Sequence, residues 1–496
     1  MKILLEMRPA LDGHAGIPQA TRLLFRGLRL IDGLEAEGLI QSSGYVLAKG
    51  LPTSTISAAA MPTHKQLNRL SRVVVSIKQE LFNAHVATVW MAIRQLAGDR
   101  EALARFDTTH FQDFIWRSLF ARTLHADDFD TVTNANFRVA RVPWTGMHRC
   151  ALFTRRLGYA LYPRLDTSDF DVMIVETPYP GIVSSRTKLV VRYHDAIPVL
   201  MPHTISDKDF HQACHFQALR KNVASGAFFA CVSESTRNDL LSLFPEVASR
   251  AVTIHNMVSH HYYSEDSSAT RVPEIIRTRL NDGIKFTSNE INRGRGPAED
   301  TGGEPFHNYL LIVSTIEPRK NHLTLLAAWE YLRAEKYPNL KMVVVGMLGW
   351  DHEAIVKKFR PWMERGQLFV LEDVPSPELR VLYRHAVATV CPSFGEGFDF
   401  SGVEAMRCGG AVVASRIPVH KEIYANAAEY FSPYSTVELV TALKAVIDPA
   451  KRERRDNLIT NGAIVSAQYA PEYILPKWQE FLQTQLAAMD KTSRKP

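Results

Sequence analysis

Two series of short apolar runs, rich in β-branched residues, constrain this chain more than any other feature. VMIVE, KLVVRYHD, AFFACVSES and RAVTIHN fall between residues 172 and 256; NYLLIVSTI, LKMVVVG, QLFVLEDV, ATVCPS and GAVVAS fall between 308 and 415. Continuous apolar runs of this length, bounded by turn residues, read as strands covered on both faces. Helical patterns lie between them, as at His322 to Glu335, and such alternation builds a parallel sheet. Two series therefore predict two α/β domains. The stretch 264–306, with EDSSAT and RGRGPAEDTGGEP, is rich in Gly, Pro and charge. It reads as a linker or surface insertion with disordered parts, and the domain boundary is placed there.

On this reading a Rossmann-like N-terminal domain spans 1–263, a second spans 307–470, and 471–496 is a closing helix with a tail. Lys2 to Met7 is the first strand, the loop DGHAGIPQ follows, and Leu23, Leu24, Leu28 and Leu30 mark a helix. Residues 52–168 show no clear strand alternation and read as a helical insertion. Within it Leu67, Leu70, Val74, Ile77 and Leu81 recur at helical spacing, while Lys65, Arg69, Arg72 and Lys78 fill other faces. A basic amphipathic helix of this kind packs its apolar side on a core or lies on anionic lipid.

With 496 residues, 46% of them hydrophobic, the chain can bury two cores of ordinary size. Its net charge of +6 suits anionic partners such as nucleotides or an acidic lipid surface, without calling for nucleic acid. Five cysteines with no C-x-x-C suggest neither a zinc site nor a disulfide framework, hence a reducing compartment. No apolar stretch approaches the ~18 residues of a membrane span, and the apolar part of MKILLEMRP is too short for a signal peptide. The expectation is a cytoplasmic protein, with a peripheral contact at the inner face of the cytoplasmic membrane through the basic helix.

The chemistry concentrates in ATVCPSFGEGFDFSGVEAMRCGGAVVASRIPVHKE, from Ala388 to Glu422. A strand, a loop and then a helix N-terminus leave free N–H groups pointing at one place, which is an anion site. Glu396 and Glu404 stand in an E-x7-E spacing, and Gly397 lets a ligand approach the backbone. Taken alone, such a pair of glutamates reads first as a solvated loop acid and a helix-surface acid, and the surrounding residues reverse that reading. A second cluster, Glu317-Pro318-Arg319-Lys320-Asn321, puts two cations at a strand's carboxyl end, where positive charge in a first helical turn calls for an anion.

PSFGEGFDFSGVEAMRCGGAV resembles the signature of the retaining glycosyltransferases of family 4, and E-P-R-K-N and His194-Asp195 resemble further motifs of that family. The resemblance covers most of the chain from Asp171 onward and the N-terminal strand, loop and helix. It implies the α/β GT-B fold: two Rossmann-like domains with parallel sheets facing a cleft. It implies a nucleotide-diphosphate sugar as donor and no required cofactor or metal. By the same resemblance, Glu396 contacts the donor sugar together with Gly397, Phe398 and Asp399, and Glu404 binds the ribose. Arg319 and Lys320 hold the diphosphate, Gly16 lies under the phosphates, and His194 sits near the reacting carbon. His194, Glu396, Arg319 and Lys320 form the implied catalytic set. Asp399 and Ser401 stand where the family carries Gly and Pro, which leaves the donor sugar open between GDP-mannose and a UDP-sugar. The implied setting is bacterial polysaccharide or lipopolysaccharide assembly on a glycan or lipid-linked acceptor. The D-x-D spellings at Asp128 to Asp130 and Asp169 to Asp171 follow no suitable strand and are discounted as metal sites. The rival readings are a non-catalytic nucleotide-sugar-binding protein and a phosphorylase of the same fold.

Overall fold

The computed structural model describes residues 1–496 apart from 12, 14–15, 82–83, 156–159, 281–307 and 487–496. The N-terminal half contains β1 (Lys2–Glu6), β2 (Glu35–Ile40), β3 (Arg100–Ala102), β4 (Ala104–Phe106), β5 (Phe137–Val139), β6 (Arg164–Asp166), β7 (Val172–Val175), β8 (Lys188–Tyr193), β9 (Phe228–Cys231) and β10 (Ala251–Thr253). The C-terminal half contains β11 (Tyr309–Val313), β12 (Lys341–Val345), β13 (Leu368–Leu371), β14 (Ala388–Cys391), β15 (Val412–Ser415) and β16 (Ala428–Phe431). The first sheet runs β10-β9-β8-β7-β1-β2-β5-β4, parallel except for β4, and the second runs β13-β12-β11-β14-β15-β16, parallel throughout. Each sheet carries a buried apolar cluster on both faces, which explains why the strand sequences are continuously apolar rather than alternating.

The strand orders locate the functional edge. In the first sheet the chain builds outward from β1 through β2 to β5, then returns to β7 and builds the other way. In the second it builds from β11 to β13, then returns to β14. The order thus reverses between β1 and β7 and between β11 and β14. Loops leaving the carboxyl ends at such reversals diverge to opposite faces and leave a crevice for a ligand.

The helix Ile17–Leu30 covers β1. Gly16 precedes it at φ 72°, a left-handed conformation that glycine adopts without a Cβ clash, and Pro18 fits the first turn, where its missing N–H costs nothing. The last helix, Pro471–Glu480, crosses back onto this domain: Ile474, Trp478, Phe481 and Leu482 are buried in the same cluster as Phe25 and Leu28, and Gln483 donates to the Asp32 carbonyl at 3.1 Å.

Two expectations change, and one open alternative is decided. Residues 52–168 hold helices at Thr63–Lys78, Ala84–Leu96 and Trp144–Arg155, but also β3 to β6, and β5 pairs with β2 in the main sheet. Three-residue strands are too short to display alternation. In the Thr63–Lys78 helix, Leu70, Val73 and Ile77 are buried in the domain core and Lys65, Arg72 and Lys78 are exposed, so its apolar face is already covered by protein. Finally, most of the expected linker lies outside the described residues, but Arg271–Arg279 is a helix whose Val272, Ile275 and Ile276 pack into the C-terminal core, and Arg279 pairs with Glu378 at 2.6 Å.

Candidate active site between the two domains

The loops leaving β11 and β14 flank the second reversal, and Asn321 ties them together. It sits at φ 58° and its Nδ2 donates to the carbonyls of Pro392 (3.0 Å) and Pro433 (2.9 Å). The Phe394 N–H reaches the Arg319 carbonyl at 3.0 Å. In this frame the Glu396 carboxylate lies between Lys320 Nζ at 2.6 Å and Arg319 Nη1 at 2.9 Å. Arg319 also donates to the Gly395 carbonyl and to Glu317 Oε1, both at 2.7 Å. Burial opposes the charge of Glu396, but Arg319 and Lys320 outweigh it and hold the carboxyl below its usual range. The Glu396 carboxylate is therefore ionised at neutral pH and holds two basic side chains at the carboxyl edge of a parallel sheet.

The N-terminal domain meets this cluster through Gly397. A Cβ at that position would run into the carbonyl oxygen of His194, so glycine is what lets the two backbones approach. His194, at the end of β8, is buried, and its Nε2 lies 2.9 Å from Glu176 Oε2 at the end of β7. Glu176 also pairs with Arg192 at 3.4 Å, and Arg192 Nη2 donates to Asn256 Oδ1 at 2.6 Å. Burial raises the Glu176 carboxyl, yet Arg192 and His194 more than offset this and its pKa is lowered.

Glu404 lies one helix further into the C-terminal domain, in Phe400–Arg407, and is buried. Its Oε1 accepts from Gln19 Nε2 at 2.9 Å, in the first turn of the helix that follows Gly16, and its Oε2 accepts from the Tyr383 hydroxyl at 3.0 Å. Burial pushes the carboxyl up to about 7 despite these donors. The ring of Phe398 packs in the C-terminal core against Phe400 and Tyr469, so only its main chain is left for a ligand.

Asp399 adopts φ 61°, which explains the glycine usual at its place; Asp is among the few residues that tolerate this region. Its side chain turns inward. Oδ1 caps the following helix through the Ser401 N–H (3.3 Å) and hydroxyl (2.6 Å), and Oδ2 faces His420 Nε2 at 3.0 Å. Burial works against its charge, but the hydrogen bond with His420 and the charge of Lys320 win, and the carboxyl is held well below the usual range. This geometry corrects the expectation that the Asp399 side chain lines a sugar pocket.

Residues 302–464 match the family model described as "Glycosyl transferases group 1". They belong to that family. Along 239 residues the chain is 27% identical to "O-antigen chain mannosyltransferase B" of Escherichia coli, covering 48% of this chain and 56% of that protein. Along 140 residues it is 38% identical to "O-antigen chain mannosyltransferase RfbU" of Salmonella typhimurium, covering 28% and 38%. The chain thus spans about half, or less, of these relatives' lengths. In structure it resembles Anabaena Alr3699/HepE, solved with UDP and glucose, at a TM-score of 0.57 and 13% identity, covering 98% of this chain and 100% of that one. It also resembles sucrose-phosphate synthase from Thermosynechococcus elongatus, at 0.55 and 15%, covering 98% and 100%. The fold is GT-B. The group 1 domain contains every C-terminal residue that the sequence singles out.

Of those residues, Arg319, Lys320, Glu396 and Gly397 converge with His194. Glu404 meets Gln19 beside Gly16, and Phe398 and Asp399 turn inward. Glu176 closes the apolar run VMIVE, and a charged residue ending a buried strand is the signal that points to it. Gln19 carries no comparable signal. Asp128 and Asp169 of the D-x-D spellings are bonded to Arg26 (2.7 Å) and Arg138 (3.2 Å).

Proposed function

We propose that the chain is a retaining glycosyltransferase that moves a hexose from a nucleotide-diphosphate sugar to a glycan or lipid-linked acceptor in bacterial surface polysaccharide assembly. The observation that carries this reading is the Glu396–Arg319–Lys320 cluster at the reversal of the second sheet, facing His194 across Gly397. Breaking a sugar–diphosphate bond builds negative charge on the leaving oxygen, and two fixed cations stabilise that charge most in the transition state. On this reading the donor's diphosphate takes up the cations that Glu396 holds, and Glu396 accepts hydroxyls of the sugar. Glu404 takes the ribose. With two cations at the diphosphate, no metal is called for. His194, its Nε2 held by Glu176, presents its remaining edge to the reacting sugar. Departure and attack on the same face retain the anomeric configuration, and the close fit of the domains excludes water.

The relatives are O-antigen mannosyltransferases and the structural neighbour HepE was solved with UDP and glucose, so the donor is GDP-mannose or a UDP-sugar. No described helix is long and apolar enough to cross a membrane. We place the protein in the cytoplasm, with the exposed cations of the Thr63–Lys78 helix against an anionic membrane face. A panel of nucleotide sugars in a thermal melt tests the donor: at 100 times its dissociation constant a binder adds about 2.7 kcal/mol. NMR of the transferred anomer tests retention, and Glu396→Gln should bind the bare nucleoside diphosphate yet lose roughly 30-fold to 1000-fold in kcat/KM. Stabilisation by no donor, an inverted product, or full activity of Glu396→Gln would overturn the corresponding part.

A further inference from the structure

A cavity of about 330 Å³ opens between Leu11 and the Ser42–Tyr45 turn, at the carboxyl ends of β1 and β2. Its polar lining is Ser42, Ser43, Lys78, Arg117, Ser118 and Arg122, and none of its described lining residues is acidic. Arg117 already has a carboxylate, Asp113, at 2.7 Å. Lys78 and Arg122 are exposed and paired with no carboxylate among the described residues; Arg122 makes only a long contact, 3.4 Å, to the Gly13 carbonyl. The walls are fixed from beneath by the fully buried Arg22, which donates to the carbonyls of Ala10 (2.7 Å), Gly13 (2.9 Å) and Leu119 (2.7 Å) and to the Thr123 hydroxyl (3.0 Å). The backbone at Ala10, Gly13 and Leu119 is thus held in one arrangement, so a ligand need not order that wall.

We propose that this cavity is a second anion site, distinct from Arg319 and Lys320, that takes a phosphate or diphosphate ester carried by the acceptor. The proposal rests on the glycosyltransferase reading for the word acceptor; the anion site itself stands on the cavity. Two cations with no carboxylate partner among the described residues, flanked by serine hydroxyls, suit an oxygen-rich dianion. The position suits an acceptor as well. From β8, which ends at His194, to β2, which ends at the cavity, there are three strand spacings, or about 14 Å. A hydroxyl reacting at His194 would therefore belong to a glycan whose phosphate lies a few sugar units behind it.

The test uses the whole chain and inorganic pyrophosphate in calorimetry, with a nucleoside diphosphate present to fill the donor site. The saturated protein should still bind pyrophosphate, and the double variant Lys78→Gln, Arg122→Gln should bind it at least about tenfold more weakly. Both positions are exposed, so an unchanged melting temperature confirms that the variant is folded. Vesicles containing phosphatidic acid separate the sources: binding lost in the double variant marks a lipid-borne phosphate, and pyrophosphate binding without vesicle binding marks a soluble ester. No pyrophosphate binding to the saturated protein, or binding equal in wild type and double variant, overturns the proposal. If the nucleoside diphosphate itself does not bind, the donor reading falls, and pyrophosphate titrated alone into wild type, the double variant and Arg319→Ala still decides whether the cavity is a site.

Discussion

Arg192 and Glu176, at the ends of β8 and β7, have no solvent-exposed side-chain surface, whereas across the cleft Arg319 and Lys320 keep 13% and 15% of theirs and Glu396 keeps 8%. Both clusters pair a carboxylate with arginine, yet their surroundings give them different work. The N-terminal pair is held by Asn256, the Ala20 carbonyl and His194, and neither side chain of the pair reaches solvent. The C-terminal cluster sits at a loop edge where a second anion can share the cations. Permanence on one side positions a histidine; openness on the other leaves charge available to a ligand.

The largest expected effect falls on the closed cluster. Arg192→Met leaves Glu176 buried without its main partner, which should cost about 3 to 5 kcal/mol of stability. Denaturant unfolding followed on the N-terminal domain checks this, and a loss below about 1 kcal/mol would show that Glu176 protonates or rehydrates at little cost.

Next in size is a pH effect at the domain interface. Raising the Glu404 carboxyl from its ordinary 4.5 to about 7 means that ionising it in the folded protein costs about 3 kcal/mol. The folded pKa is the higher one, so this stability is fully present below the unfolded value and is lost as pH rises through about 7. Melting temperature should decline between pH 5 and pH 8 more steeply in wild type than in Glu404→Gln, and parallel curves would sink the idea.

On the open cluster, Lys320→Ala should spare the fold and cut kcat by about 10-fold to 150-fold, the worth of one charge-assisted hydrogen bond of roughly 1.5 to 3 kcal/mol. A variant with raised KM and intact kcat would mean that Lys320 binds the donor equally well in ground and transition states.

The same contrast governs what the sequence discloses. In the second domain the cluster is built from two contiguous motifs, each directly after an apolar run, so strand, loop and cations are adjacent in the chain. β16 (AEYF) escapes because its residues are half polar, and β2 (EAEGLI) because glutamates break its run. In the first domain Glu176 follows β7, Arg192 and His194 share the end of β8, and Asn256 follows β10, so only the fold assembles them. Gln19 meets Glu404 across 385 positions of sequence, a contact that no local pattern encodes. Asp399 was readable as a departure from the family but not as an inward-turned cap, because its direction is set by φ and by His420, 21 residues on.

The smallest expected effect separates holding the loop from reading the sugar. Asp399→Asn keeps a residue that tolerates the left-handed region and one oxygen to accept from Ser401 or His420, but it loses the charge that faces His420. Because the folded pKa of Asp399 is depressed, its contribution is present above the unfolded value and is lost as pH falls through the folded one, opposite in sign to Glu404. At neutral pH the substitution should therefore cost about 1 kcal/mol, and the difference from wild type should shrink in acid. Donor preference should stay the same, since the carboxylate points to His420 and Ser401. Melting curves at pH 7 and at about pH 2, below the ordinary Asp value, with transfer rates for two donor sugars at neutral pH, test both halves. A changed ratio between the donors at unchanged stability would move Asp399 from the loop's support into the sugar site.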